Sequence, residues 1–195
     1  MQNNFWETVI QRIEFTNAGT VKELADGTKL IGHAPHIAPH AWVHNIYPVL
    51  NKEDFATIEK KLVHKIPSLY KEFLLRCSNG LSIFSDTLSL YGLRKRIGRG
   101  IEDAWQPYSI FTPNIDERLQ DASANHFFIG GYNWDGSLLY IDTATNKVHR
   151  SSNDSIAPLN TWDDFEAMLL SETERIALLF KEHGMQKDEE EPTTP

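Results

Sequence analysis

The chain has 195 residues, which fits one ordinary domain with some additions rather than two full domains. Apolar residues make up 41 % of it, enough for a sizeable core, but no apolar run approaches the roughly 18 residues that a membrane-spanning helix needs. The net charge of −8 argues against nonspecific nucleic-acid binding, in which Lys and Arg neutralise phosphates, and suits a partner with a basic surface.

An amphipathic helix is predicted at the N-terminus, where apolar residues recur at helical spacing. Its buried stripe would hold Phe5, Trp6, Val9, Ile10 and Ile13, with Asn3 or Asn4 available as N-cap. The same segment lacks the basic leader and the apolar stretch of a signal peptide, so we expect a soluble, cytoplasmic protein that has no contact with a membrane. Asp26-Gly27 follows between two short apolar segments, a pattern typical of a β-hairpin turn.

Prolines occur repeatedly from 33 to 50 and rule out a regular helix there. This segment also holds four of the eight histidines, namely His33, His36, His40 and His44. Imidazoles at this spacing could bind Zn²⁺ or Ni²⁺, but a structural zinc site needs about four ligands and no cysteine lies nearby. We expect a Pro-rich loop that packs across the domain with the histidines at its polar edge, and no metal or other cofactor. A metal-dependent enzyme that uses these histidines is a remote alternative.

Two further helices are predicted between 51 and 80. Asn51 is a suitable N-cap for the first, and Pro67 suits the first turn of the second, which Asn79-Gly80 would end. The single cysteine, Cys77, lies near the C-terminal end of that second helix. Because a reactive thiol needs a base or a helix N-terminus beside it, we interpret Cys77 as a small buried side chain and not as a nucleophile.

Strand-like patterns begin at residue 81. Two short apolar runs, 81–84 and 88–91, predict a pair of strands. Residues 92–126 are expected to be mostly irregular, and a short helix over 116–124 is an option there. The segments HFFIGG, SLLYIDT and KVHRSS then predict an antiparallel meander, because the turn-rich sequences YNWDG and TATN separate them.

A last helix is predicted over 162–183, where Thr161 would be the N-cap and Asp164 its partner in a capping box. The charged, Pro-ended segment 185–195 is expected to be disordered. Helices followed by a run of strands and a final helix are typical of an α+β fold. We therefore expect a central antiparallel sheet with helices packed mainly on one face.

Three stretches resemble the SMI1/KNR4 family, also called the SUKH superfamily. The family's pattern of a proline, aromatic residues and Asn-Gly before a strand is present in IPSLYKEFLLRCSNGLSIFSDTLSLYGL. The later hairpins of the family resemble FFIGGYNWDGSLLYIDTATNKVHR, and its closing helix resembles NTWDDFEAMLL. The resemblance covers about 50–180. It implies an SMI1/KNR4-like domain over 51–184. Residues 1–50, longer than the usual leader of that family, are expected to form an N-terminal helix and a His/Pro-rich leader that packs on the domain.

Members of that family are mostly bacterial immunity proteins, which bind and neutralise toxins such as nucleases or deaminases. The resemblance therefore implies a protein-binding domain with a cognate toxin as partner. Eukaryotic relatives regulate processes such as cell-wall synthesis through protein contacts, so a regulatory or scaffold protein with an endogenous partner is the alternative. The family has no recognised catalytic residues to carry over, and the sequence lacks nucleophile-elbow, phosphate-loop, zinc-protease and dinucleotide motifs, so we expect no catalytic residues.

Two loops combine aromatic residues with carboxylates, and Trp and Tyr are frequent among the residues that dominate binding energy. The partner-binding residues predicted on this basis are Glu102, Asp103, Trp105, Tyr132, Trp134 and Asp135. For the second loop the structural alternative is that Asp135-Gly136 builds a turn, which the two aromatic side chains brace. A basic run comprises Arg94, Lys95, Arg96 and Arg99, and we interpret it as a solvated loop or as partners for Glu102 and Asp103, not as a nucleic-acid site.

Overall fold

The strands pair in the order in which they follow one another along the chain, so the sheet is a continuous antiparallel meander. A computed structural model describes residues 3–15, 19–62, 64–98, 100–181 and 184–195. Within these residues the sheet has nine strands: β1 Val21–Glu23, β2 Lys29–His33, β3 Trp42–Ile46, β4 Leu81–Ile83, β5 Leu88–Leu90, β6 His126–Tyr132, β7 Leu138–Asp142, β8 Val148–Ser151 and β9 Pro158–Trp162. The predicted α+β fold with an antiparallel sheet is confirmed.

Helices connect or flank these strands. They are α1 Asn3–Phe15, α2 Lys52–Lys61, α3 Ser68–Arg76, the one-turn α4 Ile101–Ala104 and α5 Phe165–Leu179, with a π-helical turn over Thr112–Asp116. Three of them meet through aromatic side chains, since Phe73 of α3 lies 6.0 Å from Trp6 of α1 and 5.4 Å from Phe165 of α5 between ring centroids. These rings cover one face of the sheet, where the apolar side chains of the central strands form the core. Burying an aromatic side chain of this size contributes about 3 kcal/mol.

The stretch from Tyr70 to Gly80 joins α3 to the sheet. The Tyr70 hydroxyl lies 2.5 Å from the carbonyl oxygen of Tyr91 and 2.9 Å from that of Ile129. The helix itself ends at Arg76, before Asn79-Gly80. Gly80 has φ +82°, and a Cβ there would lie 2.6 Å from the carbonyl oxygen of Leu90. A glycine is therefore required where the chain enters β4, and not at the end of the helix as predicted.

The predicted loop over 33–50 contains a strand that the sequence analysis missed. β3 pairs with β2 on one side and β4 on the other. Pro35 and Pro39 lie in the turn between β2 and β3, and Pro48 lies beyond the strand. The prolines exclude a helix, but because they stand outside the paired residues they do not exclude a strand. The leader 1–50 thus supplies strands that continue the sheet of the following residues.

Two other local predictions are wrong. Residues 117–124 form turns and no helix, and there the Arg118 guanidinium donates to the carbonyl oxygens of Ser123 and His126. Residues 158–162 form β9, so α5 begins at Phe165 with Asp164 as its N-cap. Thr161 instead contacts His149 across the strands, 2.8 Å from Oγ1 to Nδ1.

The C-terminal segment 184–195, defined here by those residues, folds back against α5. The Lys187 amide donates to the carbonyl oxygen of Leu179 at 2.8 Å, and Arg175 Nη2 donates to the carbonyl oxygen of Thr193 at 2.7 Å. Thr193 is buried. This arrangement differs from the disorder expected from composition, because backbone and side-chain hydrogen bonds hold a segment that has few apolar residues.

Some predictions fall on parts of the chain for which nothing is described. They are the N-cap at Asn3 or Asn4, the side chain of Glu102 and the basic residue Arg99. The last helix is shorter than predicted, because α5 ends at Leu179 and Phe180 already has an extended backbone. No helix in the described part of the chain has both the length and the apolar character needed to cross a membrane.

Candidate functional site

Several turns meet at one end of the sheet, which we call the loop end. Since neighbouring strands are antiparallel, the β2–β3, β4–β5 and β6–β7 turns, 34–41, 84–87 and 133–137, lie at the same end. The Ser85 amide donates to the carbonyl oxygen of Val43 at 2.8 Å, which ties the β4–β5 turn to β3. The C-terminal segment lies beside them, where a Cβ on Gly184 would be 2.6 Å from Val43 Cγ2.

A groove of about 620 Å³ opens at the loop end between these turns and the C-terminal segment. We call it the aromatic groove and define it by Ile37, Phe84, Trp134, Phe180 and Met185. Phe84 and Phe180 stack with their centroids 4.6 Å apart, whereas Ile37, Trp134 and Met185 are 50 %, 42 % and 49 % exposed. Its volume lies within the range of about 300–1,000 Å³ that is typical of ligand sites. Large apolar side chains are thus presented to solvent on a frame of paired strands.

The β4–β5 turn has an unusual backbone. Phe84, Ser85 and Asp86 take φ values of 49°, 53° and 67°, so three successive residues other than glycine are left-handed. Each such residue costs about 1–2 kcal/mol. The turn is held by the bond from Thr87 Oγ1 to the carbonyl oxygen of Phe84, at 2.7 Å. Strain of this kind is concentrated at functional sites. Here it directs Phe84 into the aromatic groove and Asp86 towards the opposite face of the sheet.

A smaller cavity of about 200 Å³ lies on that opposite face, away from the helical core. We call it the tyrosine pocket and define it by Asp86, Ser89, Tyr91, Tyr108 and Gly131. Burial and the nearby Tyr108 raise the pKa of Tyr91 to about 12. Partial burial and the charge of Asp86 raise the pKa of Tyr108 as well. Both phenols are therefore neutral hydrogen-bonding groups at physiological pH.

The predicted residues of the β6–β7 turn have different environments. Trp134 is exposed and borders the aromatic groove, as a binding residue should. Tyr132 is buried, and its hydroxyl donates to Glu172 Oε2 at 2.7 Å; burial and that carboxylate raise its pKa. Asp135 accepts the Ser137 amide at 2.9 Å and pairs with Arg150 at 3.0 Å. The contacts of Tyr132 and Asp135 match the structural alternative, in which these residues build and brace the turn.

The other predicted residues belong to α4 and the loop after it. Asp103 accepts the Gly100 amide at 3.0 Å and lies 3.5 Å from Arg96 Nε, so its carboxylate stabilises this loop. Trp105 is half-buried. Neither residue borders the aromatic groove or the tyrosine pocket. The structure therefore does not bring the two predicted groups into one cavity.

Sequence reasoning missed Ile37, Phe84 and Asp86. Ile37 lies in the Pro-rich segment, where the only signal noticed was the histidines. Phe84 and Asp86 lie in the turn sequence Phe-Ser-Asp-Thr, which has no glycine or proline to indicate left-handed backbone. Only the polar stretch between two short strands could have directed attention to this turn.

The histidines of the leader are dispersed. His33 packs on Trp42 with centroids 5.0 Å apart, and His36 borders the aromatic groove. His44 is buried, and burial lowers its pKa to about 3. Among the described residues, no three His, Cys, Asp or Glu side chains lie close enough together to hold a metal ion.

A protein-family model matches most of the central part of the chain. Residues 50–171 match the family model of the SMI1 / KNR4 family (SUKH-1), which covers more than half of the chain. The matched residues include β4 to β9, α2 and α3, and most of the turns at the loop end. A search of curated proteins found none that matches the chain.

Proposed function

The chain belongs to the SMI1/KNR4 family, and we propose that it binds a toxin domain at the loop end of its sheet and neutralises it as an immunity protein. The proposal combines the family with the shape of the aromatic groove. Immunity proteins act as stoichiometric inhibitors, so the activity requires a binding face and no catalytic group.

The aromatic groove is the observation that carries this proposal. Its exposed members, Ile37, Trp134 and Met185, come from three segments that are distant in sequence, and the first two lie in turns between paired strands. Exposed apolar clusters of this kind mark interaction sites, and tryptophan is frequent among the few residues that contribute most of the binding energy. Trp134 at the edge of the groove is therefore the proposed anchor.

The charge beside the groove favours a basic partner. The C-terminal segment carries Asp188, Glu189, Glu190 and Glu191, and Glu189 borders the groove. These four acids are exposed. Acidic side chains around an apolar anchor raise the association rate with a basic protein and reject acidic ones. A toxin that acts on nucleic acid has such a basic surface, because it must bind phosphates.

We further propose that the protein is not an enzyme. Burial raises the pKa of the Cys77 thiol to about 12 and lowers that of His44 to about 3, so neither side chain is a nucleophile or a general base at neutral pH. Enzymatic assays of the purified chain against the substrates of its partner toxin provide the direct check.

A growth assay tests the proposed function. The toxin domain encoded beside this gene is expressed in a bacterial host with and without the full chain, and an unrelated toxin serves as the control. We expect the chain to restore growth against its neighbour's toxin and not against the unrelated one. Continued growth arrest, despite soluble chain at a level equal to that of the toxin, would contradict the proposal. A genome neighbourhood with no toxin gene would instead favour a regulatory or scaffold protein.

A further inference from the structure

The tyrosine pocket has the size of a site for one side chain. Its volume of about 200 Å³ is below the roughly 300 Å³ at which sites for complete small-molecule ligands begin. It shares Asn133 with the aromatic groove, so the two cavities adjoin at the β6–β7 turn. A protein that covers the groove would therefore also reach the mouth of the pocket.

Asp86 gives the pocket a carboxylate, and the Tyr108 hydroxyl is one of its hydrogen-bond partners. The hydroxyls of Ser82 and Ser89 donate to its Oδ1 at 2.5 Å and 3.3 Å, and both donors are neutral. None of the ion pairs formed by the described residues includes Asp86. The charge of Arg94 lowers the pKa of Tyr108, while Arg94 Nη2 donates to the carbonyl oxygen of Asp103 at 3.2 Å.

A second acceptor lies on the same face of the sheet. Asn45, Ser82, Ser89 and Gly131 are paired across β3 to β6, so their side-chain positions form one row beneath Asp86. Asn45 is 8 % exposed, and its Oδ1 is buried without a hydrogen-bond partner. A buried acceptor without a donor costs about 1–3 kcal/mol, but Asn45 is not among the residues that line the tyrosine pocket, so Asp86 is the acceptor available there.

Two tyrosine rings form the walls of the pocket. Tyr91 lies close to the sheet because Gly131 has no side chain, and a Cβ there would be 2.9 Å from the Tyr91 hydroxyl. Tyr108 is 52 % exposed at the mouth. The electron-rich faces of such rings attract a cation, most strongly a guanidinium, and a carboxylate beside them strengthens the attraction through charge-assisted hydrogen bonds.

We infer that the tyrosine pocket receives one basic side chain of the protein partner, with an arginine guanidinium against Asp86 and between Tyr91 and Tyr108. This inference rests on the proposed function for the identity of the partner. An anion is excluded by the charge of Asp86. A metal ion would lack ligands, because a single carboxylate with serine hydroxyls does not form a metal site.

The first test needs no partner. The full chain is titrated with N-acetyl-arginine-N-methylamide, and the neutral citrulline analogue is the comparison, while NMR follows the ring signals of Tyr91 and Tyr108. We expect saturable shifts with the arginine compound at millimolar concentration and none with the citrulline compound. Asp86→Asn should weaken this binding at least tenfold, since Asn tolerates the left-handed backbone at this position and keeps the fold. Asp163→Asn, which changes a 93 % exposed carboxylate at the other end of the sheet, should leave it unchanged.

The second test uses the complex with the toxin domain. We expect Asp86→Asn to weaken its affinity about tenfold and Asp163→Asn to leave it within twofold. If the toxin binds but both variants retain the wild-type affinity, the pocket inference is overturned and the proposed function stands. If no toxin binds, the proposed function fails, and the arginine titration still decides the pocket. Equal binding of the arginine compound to wild type and Asp86→Asn, or no saturable shift, would refute the inference.

Discussion

His44 is the residue at which burial has the largest effect on an ionisable group. It lies on β3 under the helices with 1 % exposure, and its Nδ1 accepts the Phe84 amide at 3.3 Å. Its Nε2 has no hydrogen-bond partner in the described structure. Burial lowers its pKa from 6.5 to about 3, so the imidazole is neutral in the folded protein at physiological pH.

We predict a stability loss in acid that is specific to His44. Below about pH 6.5 the unfolded chain binds a proton at His44 that the folded chain does not, so the free energy of unfolding falls by about 1.4 kcal/mol per pH unit until the folded pKa is reached. Urea unfolding of wild type and His44→Asn between pH 7 and pH 4.5 measures it. Asn keeps an acceptor for the Phe84 amide but does not titrate, so the variant should lack this slope.

The matched control for that experiment is His33→Asn. His33 is exposed on β2, so its replacement should leave the slope of the wild type intact. If the free energies of unfolding of wild type and His44→Asn fall equally as the pH is lowered, the protein does not lose stability through burial of the neutral His44 imidazole.

Tyr132 and Trp134 show what residue types alone reveal about a candidate site. Both are aromatic, they stand two positions apart, and sequence reasoning gave them the same role. In a strand, residues two apart share a face, but β6 ends at Tyr132, so the pattern stops before Trp134. Tyr132 faces Glu172 and Trp134 faces solvent. The end of the strand decides this difference, and residue composition does not predict it.

At the scale of elements, the start of α5 distinguishes two candidate caps. Asp164 accepts the Ala167 amide at 2.8 Å, whereas Thr161 lies in β9. We predict that Asp164→Ala lowers the free energy of unfolding by about 1 kcal/mol, the usual effect of losing an N-cap. Thr161→Ala removes only an exposed contact and should change it by less than about 0.5 kcal/mol. Thermal or urea unfolding of both variants measures the difference. A larger loss for Thr161→Ala than for Asp164→Ala would show that Thr161 is the N-cap, as predicted from the sequence.

The elements that could be predicted are those with strong local signals. The Asp26-Gly27 hairpin has a glycine at φ +89°, and the capping box of α2 joins Asn51 and Asp54 in both directions. β3 and β9 were missed because their pairing depends on neighbours outside their own sequence. The turn over 84–86 adopts left-handed backbone without glycine, and the paired strands β4 and β5 hold its two ends. Tertiary contacts, and not local propensity, determine these segments.

At the scale of the whole molecule, strand order brings the candidate site together. The aromatic groove combines Ile37, Phe84, Trp134 and the C-terminal segment, which are separated by nearly the whole chain. An antiparallel meander places every second turn at the same end, so the turns meet once the strand order is known. The sequence predicted strands and an antiparallel sheet, but it missed two of the strands and so could not predict which turns share an end.

The central claim is that the loop end binds the partner through Trp134, and calorimetric titration of the purified chain with the toxin domain tests it most directly. Trp134→Ala should weaken the affinity about 30-fold, the effect expected for an anchor of about 2 kcal/mol. Leu178→Ala is the control, because Leu178 is a 69 % exposed apolar residue on α5 outside the aromatic groove, and it should stay within twofold of wild type. Tight binding of the wild type with the same affinity for Trp134→Ala would contradict the claim, and a loss confined to Trp105→Ala would move the binding face to the loop after α4.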